Sequence, residues 1–168
     1  MRQRIVITGA ASILLCLTAS LALGDDGRHG RPAPFVGVFY PVISGVAFDA
    51  TRCPDPSHPL LFSFTGLAQT TLGRAQFTQS HCEALDHTSF RRGVQVITLE
   101  SGWQLFGAYH GRLRATPTTG VDFQLVIDGR YRNTGGTGPF KNADGDGISA
   151  GTVDVRTGGA VIAVSGTL

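Results

Sequence analysis

The feature that most restricts the fold of this chain is a series of short β-type segments without any helical period. Residues 35–40, 60–66 and 93–99 each contain β-branched or aromatic side chains in alternation, which is typical of strands with one buried face. Glycine, proline and polar residues separate such segments at spacings of roughly ten residues. No segment carries apolar residues at a 3.6-residue period for three turns. The pattern predicts an all-β sandwich or barrel of roughly eight to ten strands, with little or no helix.

The last predicted strand favours a barrel over a sandwich. Residues 121–127 carry apolar side chains on one face, whereas residues 159–168 carry small or apolar side chains on both faces. Strands of the second kind suit a closed barrel whose interior is tightly filled or holds one small ligand.

We expect Pro41 to end the first strand, and three prolines identify residues 49–59 as a loop.

The first 24 residues have the composition of a secretory signal peptide. Two arginines precede an apolar run, and residues 22–24 supply the small side chains of a cleavage site. We therefore expect an exported protein, periplasmic or secreted, with a flexible leader over residues 25–34 and a single domain over residues 35–168. The alternative is a retained membrane anchor, but serines and threonines dilute the apolar run.

The charge of the chain is balanced once the predicted signal is removed. Twelve basic and twelve acidic residues remain, so the mature chain is formally neutral. Its arginines are scattered among carboxylates, whereas nucleic-acid binding requires a clustered positive surface. The composition therefore argues against a nucleic-acid partner. No membrane span is expected after cleavage, and no cofactor is predicted.

Two cysteines, Cys53 and Cys82, remain after the predicted cleavage. In an exported chain such a pair most often forms one disulfide, which would stabilise the fold by roughly 3–4 kcal/mol. A redox or metal-binding pair would usually place its cysteines two or three residues apart. The wide spacing therefore favours the disulfide.

A glycine-rich stretch over residues 128–152 contains one aromatic anchor, Phe140. We expect a tight structural loop in which Phe140 enters the core and small residues permit unusual backbone angles or close packing. The predicted structural residues are Gly135, Gly136, Gly138, Phe140, Ala143 and Gly145. A phosphate-binding loop would need a serine or threonine directly after Lys141 and then a helix. A calcium loop would need a carboxylate at the position of Val153, so no metal site is predicted.

Residues 80–92 form the most polar interval of the chain. Two histidines, Cys82 and Glu83 bring together nitrogen, sulfur and oxygen donors, which are the ligands that zinc prefers. A cysteine in a disulfide cannot bind zinc, however, and His81 and His87 have no evident third ligand. We therefore predict a solvated loop beside the disulfide.

The aromatic residues are the remaining clue to function. Their first interpretation is core packing, because each ring contributes a large apolar area. The alternative is a ligand cavity inside a barrel, since Trp103 and Tyr109 fall on the same face of one predicted strand and carry polar tips. The candidate ligand-binding residues are Trp103, Tyr109, Phe123 and Phe64.

Several of these stretches resemble one family. Residues 135–145, G-G-T-G-P-F-K-N-A-D-G, resemble the G-G-T-G-[RK]-F-x-x-A-x-G signature of dirigent and allene-oxide-cyclase-like barrel proteins, and more closely that of their uncharacterised secreted bacterial relatives. The same bacterial group has segments similar to T-L-G-R at 71–74, to S-G-W-Q-L-F-G at 101–107, and to G-T-V-D at 151–154 with S-G-T-L at 165–168. The resemblance covers most of the chain from about residue 62 and implies an eight-stranded antiparallel, calycin-like β-barrel.

The resemblance also implies a range of functions. The chain departs from the family pattern at Pro139, where a basic residue is usual, and at Trp103, where the bacterial group has aspartate. No catalytic residue of the plant proteins aligns with this chain, so enzyme activity is not carried over. We expect a non-enzymatic barrel that binds a small apolar molecule. The alternatives are a cyclase or isomerase acting on an apolar substrate, and an interaction protein that forms homo-oligomers.

Overall fold

The structure, a computed structural model, describes residues 32–117 and 123–168. It is a closed barrel of eight antiparallel strands in which each strand pairs with the next and the last pairs back with the first. The strands are β1 (Pro34–Phe48), β2 (Leu60–Thr70), β3 (Gly73–Glu83), β4 (Ser89–Leu99), β5 (Gln104–Pro117), β6 (Phe123–Gly136), β7 (Asp146–Asp154) and β8 (Gly159–Thr167). Within the described residues, the helical content is one 3-10 turn over Gly138–Phe140. The predicted fold class is confirmed.

Two predicted segments fall wholly or largely outside this description. The structure does not describe the proposed signal peptide over residues 1–24. Of the proposed leader over residues 25–34, it describes only residues 32–34. In the part that it does describe, no helix has both the length and the hydropathy needed to cross a membrane.

The barrel has two different ends. The turns at residues 71–72 and 100–103 and the segment 137–145 lie together at one end, which we call the packed end. The segments 49–59, 84–88 and 155–158 lie at the opposite end, which we call the cavity end. The main core fills the packed end.

The core of the packed end is built from large side chains on alternate strand positions. Phe39 and Phe77 meet edge to face, with ring centroids 5.1 Å apart, in a geometry that adds about 0.5–1.5 kcal/mol beyond the area that the rings bury. Ile97 and Leu105 are fully buried in the same cluster. Phe140, from the glycine-rich segment, packs against this cluster from the end of the barrel.

The glycine-rich segment closes the packed end through backbone contacts. Thr137 donates its backbone N–H to the carbonyl of Gln104, and its hydroxyl accepts the Gln104 N–H at 2.8 Å. The buried side-chain amide of Asn133 donates to the carbonyl of Thr167 at 2.8 Å. A Cβ at Gly145 would lie 2.2 Å from that same carbonyl oxygen, so only glycine fits there. The segment therefore joins β5, β6 and β8 at one point.

The strands are longer than the sequence indicates in two places. Pro41 was expected to end the first strand, but β1 continues through it to Phe48. Pro41 is paired with Gly66 of β2 and faces the interior, where its ring forms part of the barrel wall. The predicted polar loop over residues 80–92 is also mostly strand, because β3 runs to Glu83 and β4 begins at Ser89.

The predicted disulfide between Cys53 and Cys82 is confirmed. It joins the loop over residues 49–59 to the outer side of β3, where Cys82 is fully buried. The same loop is held by a hydrogen bond of 2.9 Å between the buried His58 ring and the Ser89 hydroxyl. Disulfides persist in oxidising compartments, so this bond fits an exported protein.

Removal of the disulfide by the double substitution of Cys53→Ser and Cys82→Ser is expected to lower the free energy of unfolding by about 3–4 kcal/mol, because the cross-link closes a loop of 29 residues. Urea denaturation of the oxidised wild type and the double variant measures this difference. A difference below about 1 kcal/mol would mean that the bond does not constrain the unfolded chain as described.

Candidate functional site

The interior of the cavity end is not filled. A cavity of about 400 Å³ lies there, lined by residues from all eight strands and by residues of the segments 84–88 and 155–158. Most of its wall is apolar and consists of aromatic and branched side chains, among them Phe62, Phe64, Phe90, Leu113, Ile127 and Ile162. Cavities of this size and composition are typical of sites for one small molecule.

An irregularity in β4 brings one of these rings inward. The pairing of β4 shifts by one residue against each neighbour: Arg91 and Arg92 lie opposite one residue of β5, and Arg92 and Gly93 lie opposite one residue of β3. Arg92 has a positive φ of 52°, and its carbonyl accepts a hydrogen bond from the Arg52 side chain. Because of this β-bulge, both arginines stay outside and Phe90 returns to the interior.

A chain of four polar side chains crosses one wall of the cavity. The Tyr109 hydroxyl lies 3.1 Å from His81 Nδ1, and His81 Nε2 lies 3.0 Å from Glu83 Oε2. The other carboxylate oxygen of Glu83 lies 2.5 Å from His87 Nδ1. His81 and Glu83 are 6% and 4% exposed, whereas half of the His87 side chain is exposed. The chain therefore leads from the buried cavity wall to the surface at the cavity end.

Aromatic rings hold His81 in place. Phe90 stacks on the imidazole with ring centroids 4.7 Å apart, and Phe64 lies on it at 5.2 Å. Tyr109 meets the same imidazole edge to face at 5.7 Å. An imidazole surrounded in this way has little rotational freedom, so its two nitrogens keep their separate partners, Tyr109 and Glu83.

The electrostatics keep Tyr109 in its neutral form. Burial raises the pKa of Tyr109 far above its ordinary value; the charge of Arg52 opposes this change and the charge of Glu83 adds to it. At the cavity end, hydrogen bonds from the Thr88 hydroxyl and backbone N–H lower the pKa of Asp86. The site thus combines a neutral phenol inside with an ionised carboxylate at the rim.

The rings of the interior depend on glycines in the neighbouring strands. Four aromatic residues each lie opposite a glycine in the pairing of two strands, and a Cβ on that glycine would lie between 2.5 and 2.9 Å from the ring. The pairs are Tyr109 with Gly93, Phe90 with Gly111, Phe77 with Gly66 and Tyr131 with Gly147. The glycines provide the space in which the rings lie flat against the sheet.

Of the four predicted ligand-binding residues, two line the cavity, one lies at the opposite end of the barrel, and one has a side chain that the structure does not describe. Phe64 and Tyr109 line the cavity. Trp103 does not, because β5 begins only at Gln104 and Trp103 belongs to the turn at the packed end, where it is 47% exposed and its indole lies over Gly138. The backbone of Phe123 begins β6, but its side chain lies outside what the structure describes.

The predicted structural residues lie in or beside the segment that closes the packed end. Gly135 and Gly138 have positive φ values of 119° and 55°. A Cβ at Gly136 would lie 2.2 Å from the Gln104 carbonyl oxygen. Phe140 and Ala143 pack against the core cluster. Only residues 137–145 of the glycine-rich stretch lie outside strands, because β6 extends to Gly136 and β7 starts at Asp146.

The prediction of a solvated loop at residues 80–92 is wrong for His81 and Glu83. Both belong to β3 and point into the barrel, whereas Cys82 between them points outward to the disulfide. Glu83 tolerates burial because two imidazoles bond to its carboxylate. The sequence does carry a signal for this orientation. Alternate positions of a strand face the same side, and the series that begins with Phe77 and Gln79 continues to His81 and Glu83.

The described residues contain no group of three or more histidine, cysteine or acidic side chains arranged to hold a metal ion. In the glycine-rich segment, Asp144 accepts two hydrogen bonds from the Arg132 guanidinium, at 2.7 and 2.9 Å. That carboxylate therefore forms an ion pair across the loop.

Comparisons of this chain with protein-family models, with curated proteins and with solved structures find no match.

Substitution of Gly93 by alanine is expected to lower the free energy of unfolding by about 1–3 kcal/mol, because the new methyl group would lie 2.5 Å from the Tyr109 carbonyl and 2.6 Å from its ring. Gly45→Ala is the matched control, since its nearest neighbour is 4.0 Å away. The control is expected to change stability by less than about 1 kcal/mol. Equal losses for the two variants in urea denaturation would contradict the ring-on-glycine arrangement.

Proposed function

We propose that this protein is an exported barrel that binds one small, mostly apolar molecule inside its cavity. The observation that carries this proposal is the cavity of about 400 Å³, whose wall is apolar except for a few polar groups. An unfilled apolar space is destabilising because the side chains around it lose packing contacts. A ligand that fills the space would restore those contacts.

The polar groups of the wall support an amphipathic ligand. A purely apolar molecule would cover the Tyr109 hydroxyl and leave it no hydrogen-bond partner besides His81. A ligand with one hydrogen-bonding group near one end can bond to Tyr109 and place its apolar part against Phe62 and Phe64. The proposed ligand therefore has an apolar body and one polar group.

Export and family are part of the same proposal. The predicted signal peptide and the disulfide both favour a protein that functions outside the cytoplasm. The closed eight-stranded barrel is compatible with the resemblance to the secreted bacterial relatives of dirigent and allene-oxide-cyclase-like proteins. That resemblance is a reason to look for the ligand among small apolar compounds.

A second candidate function is that of a cyclase or isomerase. It is favoured by the contact between Glu83, His81 and Tyr109. A carboxylate that stabilises an imidazolium enables His81 to take the Tyr109 hydroxyl proton while the phenol oxygen takes a proton from a bound substrate, and the reverse transfer returns it. For an enzyme, His81→Gln would remove turnover while an unreactive ligand still bound. A binding protein would form no product from any ligand that occupies the cavity.

Filling the cavity is expected to prevent ligand binding. Ala160 lines the cavity from β8, and the ring introduced by Ala160→Phe would occupy part of the space that a ligand needs. Binding of 2-ethylnaphthalene, measured by calorimetry, should weaken at least about tenfold. Ala163→Phe is the matched control, because Ala163 is exposed on the outer face of the same strand. If both variants bind 2-ethylnaphthalene as the wild type does, the cavity is not its binding site.

A further inference from the structure

We propose that the protonation state of His81 selects the polar group that the cavity accepts on its ligand. With a protonated His81 the site accepts a carbonyl oxygen, and with a neutral His81 it requires a hydroxyl group. This inference rests on the proposed binding of an amphipathic ligand in the cavity and identifies the chemical class of its polar end.

Glu83 keeps a hydrogen on His81 Nε2. This nitrogen lies 3.0 Å from a carboxylate oxygen of Glu83. An ionised carboxylate has no hydrogen to donate, so it can only accept a hydrogen bond. Nε2 therefore carries a hydrogen in both the neutral and the charged imidazole. The two states differ only at Nδ1, which faces the Tyr109 hydroxyl at 3.1 Å.

The direction of the hydrogen bond between His81 and Tyr109 depends on the charge of His81. A neutral imidazole has a bare Nδ1, which accepts the hydrogen of the Tyr109 hydroxyl, so the phenol presents only lone pairs to the cavity. A charged imidazole donates from Nδ1 to the phenol oxygen, and the phenol hydrogen is then free to point at a ligand. Since Tyr109 lines the cavity, its hydroxyl passes the state of His81 to the ligand.

Ketones and alcohols respond differently to this change at the Tyr109 hydroxyl. A ketone can only accept a hydrogen bond, so at Tyr109 it needs the free phenol hydrogen that a charged His81 provides. An alcohol can donate or accept and therefore finds a partner in both states. The ratio of ketone affinity to alcohol affinity should consequently rise as His81 becomes protonated.

The charged groups around His81 determine which other titrations must be controlled. Glu83 bonds to it from the same strand, and His87 shares the Glu83 carboxylate from the segment 84–88. Asp86 lies at the rim in that segment, and Arg52 acts on Tyr109 from the loop over residues 49–59. The rings that pack on His81 from β2 and β4 are the uncharged side chains of Phe62, Phe64 and Phe90. His87 is the second imidazole among these groups, so a control variant must separate its effect from that of His81.

The experiment compares three ligands with one skeleton: 2-acetonaphthone, 1-(2-naphthyl)ethanol and 2-ethylnaphthalene. Calorimetry of the full protein at about pH 5 and about pH 8 spans the range in which imidazoles change charge. The ketone-to-alcohol affinity ratio is expected to be about tenfold higher at the lower pH, while 2-ethylnaphthalene binds equally at both. Tyr109→Phe and His81→Gln should each abolish the change in the ratio.

His87→Asn is the matched control. Asparagine tolerates the positive φ of 54° at this position, and the variant removes the second imidazole while the asparagine amide can still donate a hydrogen bond to Glu83. It should retain the change in the ratio. A ratio that is the same at both pH values, or a change that disappears in His87→Asn and persists in His81→Gln, would overturn the inference and leave the binding of 2-ethylnaphthalene standing. If none of the three ligands binds, the proposed function fails and this inference fails with it.

Discussion

Closure of the sheet is the constraint on which the rest of this structure depends. Eight paired strands leave no free edge, and every second side chain is directed into one shared interior. At the packed end large rings and the glycine-rich segment fill that interior. At the cavity end aromatic side chains still form the wall, but glycines opposite Tyr109 and Phe90 let these rings lie flat against it. The same alternation therefore produces a core at one end and a cavity at the other.

The polar wall of the cavity depends on the outside of the barrel. Cys82 points outward into the disulfide, so its neighbours His81 and Glu83 must point inward. Burying these two groups is costly unless they bond to each other and to further partners, which the contacts with Tyr109 and His87 provide. A bond that stabilises the fold thus also fixes the position of the groups that a ligand would meet.

Much of the fold could be predicted from the sequence, but less of the site. Alternating apolar residues predicted the all-β barrel correctly, and the two distant cysteines predicted the disulfide correctly. The polarity of residues 80–92 concealed a strand, because the buried His81 and Glu83 bond to each other, and their remaining partners, His87 and Tyr109, come together with them only in the folded barrel. Trp103 was misplaced because the start of β5 differs by one residue from the predicted strand. The β-bulge that directs Phe90 inward has no local sequence signature and follows from pairing with both neighbours.

In the proposed complex, the ligand lies at the cavity end and its polar group bonds to Tyr109. A crystal structure of the full protein grown with 2-acetonaphthone at about pH 5 is the decisive measurement. We expect the naphthalene between the aromatic and aliphatic walls, and its carbonyl oxygen about 2.7 Å from the Tyr109 hydroxyl. A cavity filled by its own side chains, or His81 and Glu83 turned toward solvent, would contradict the account.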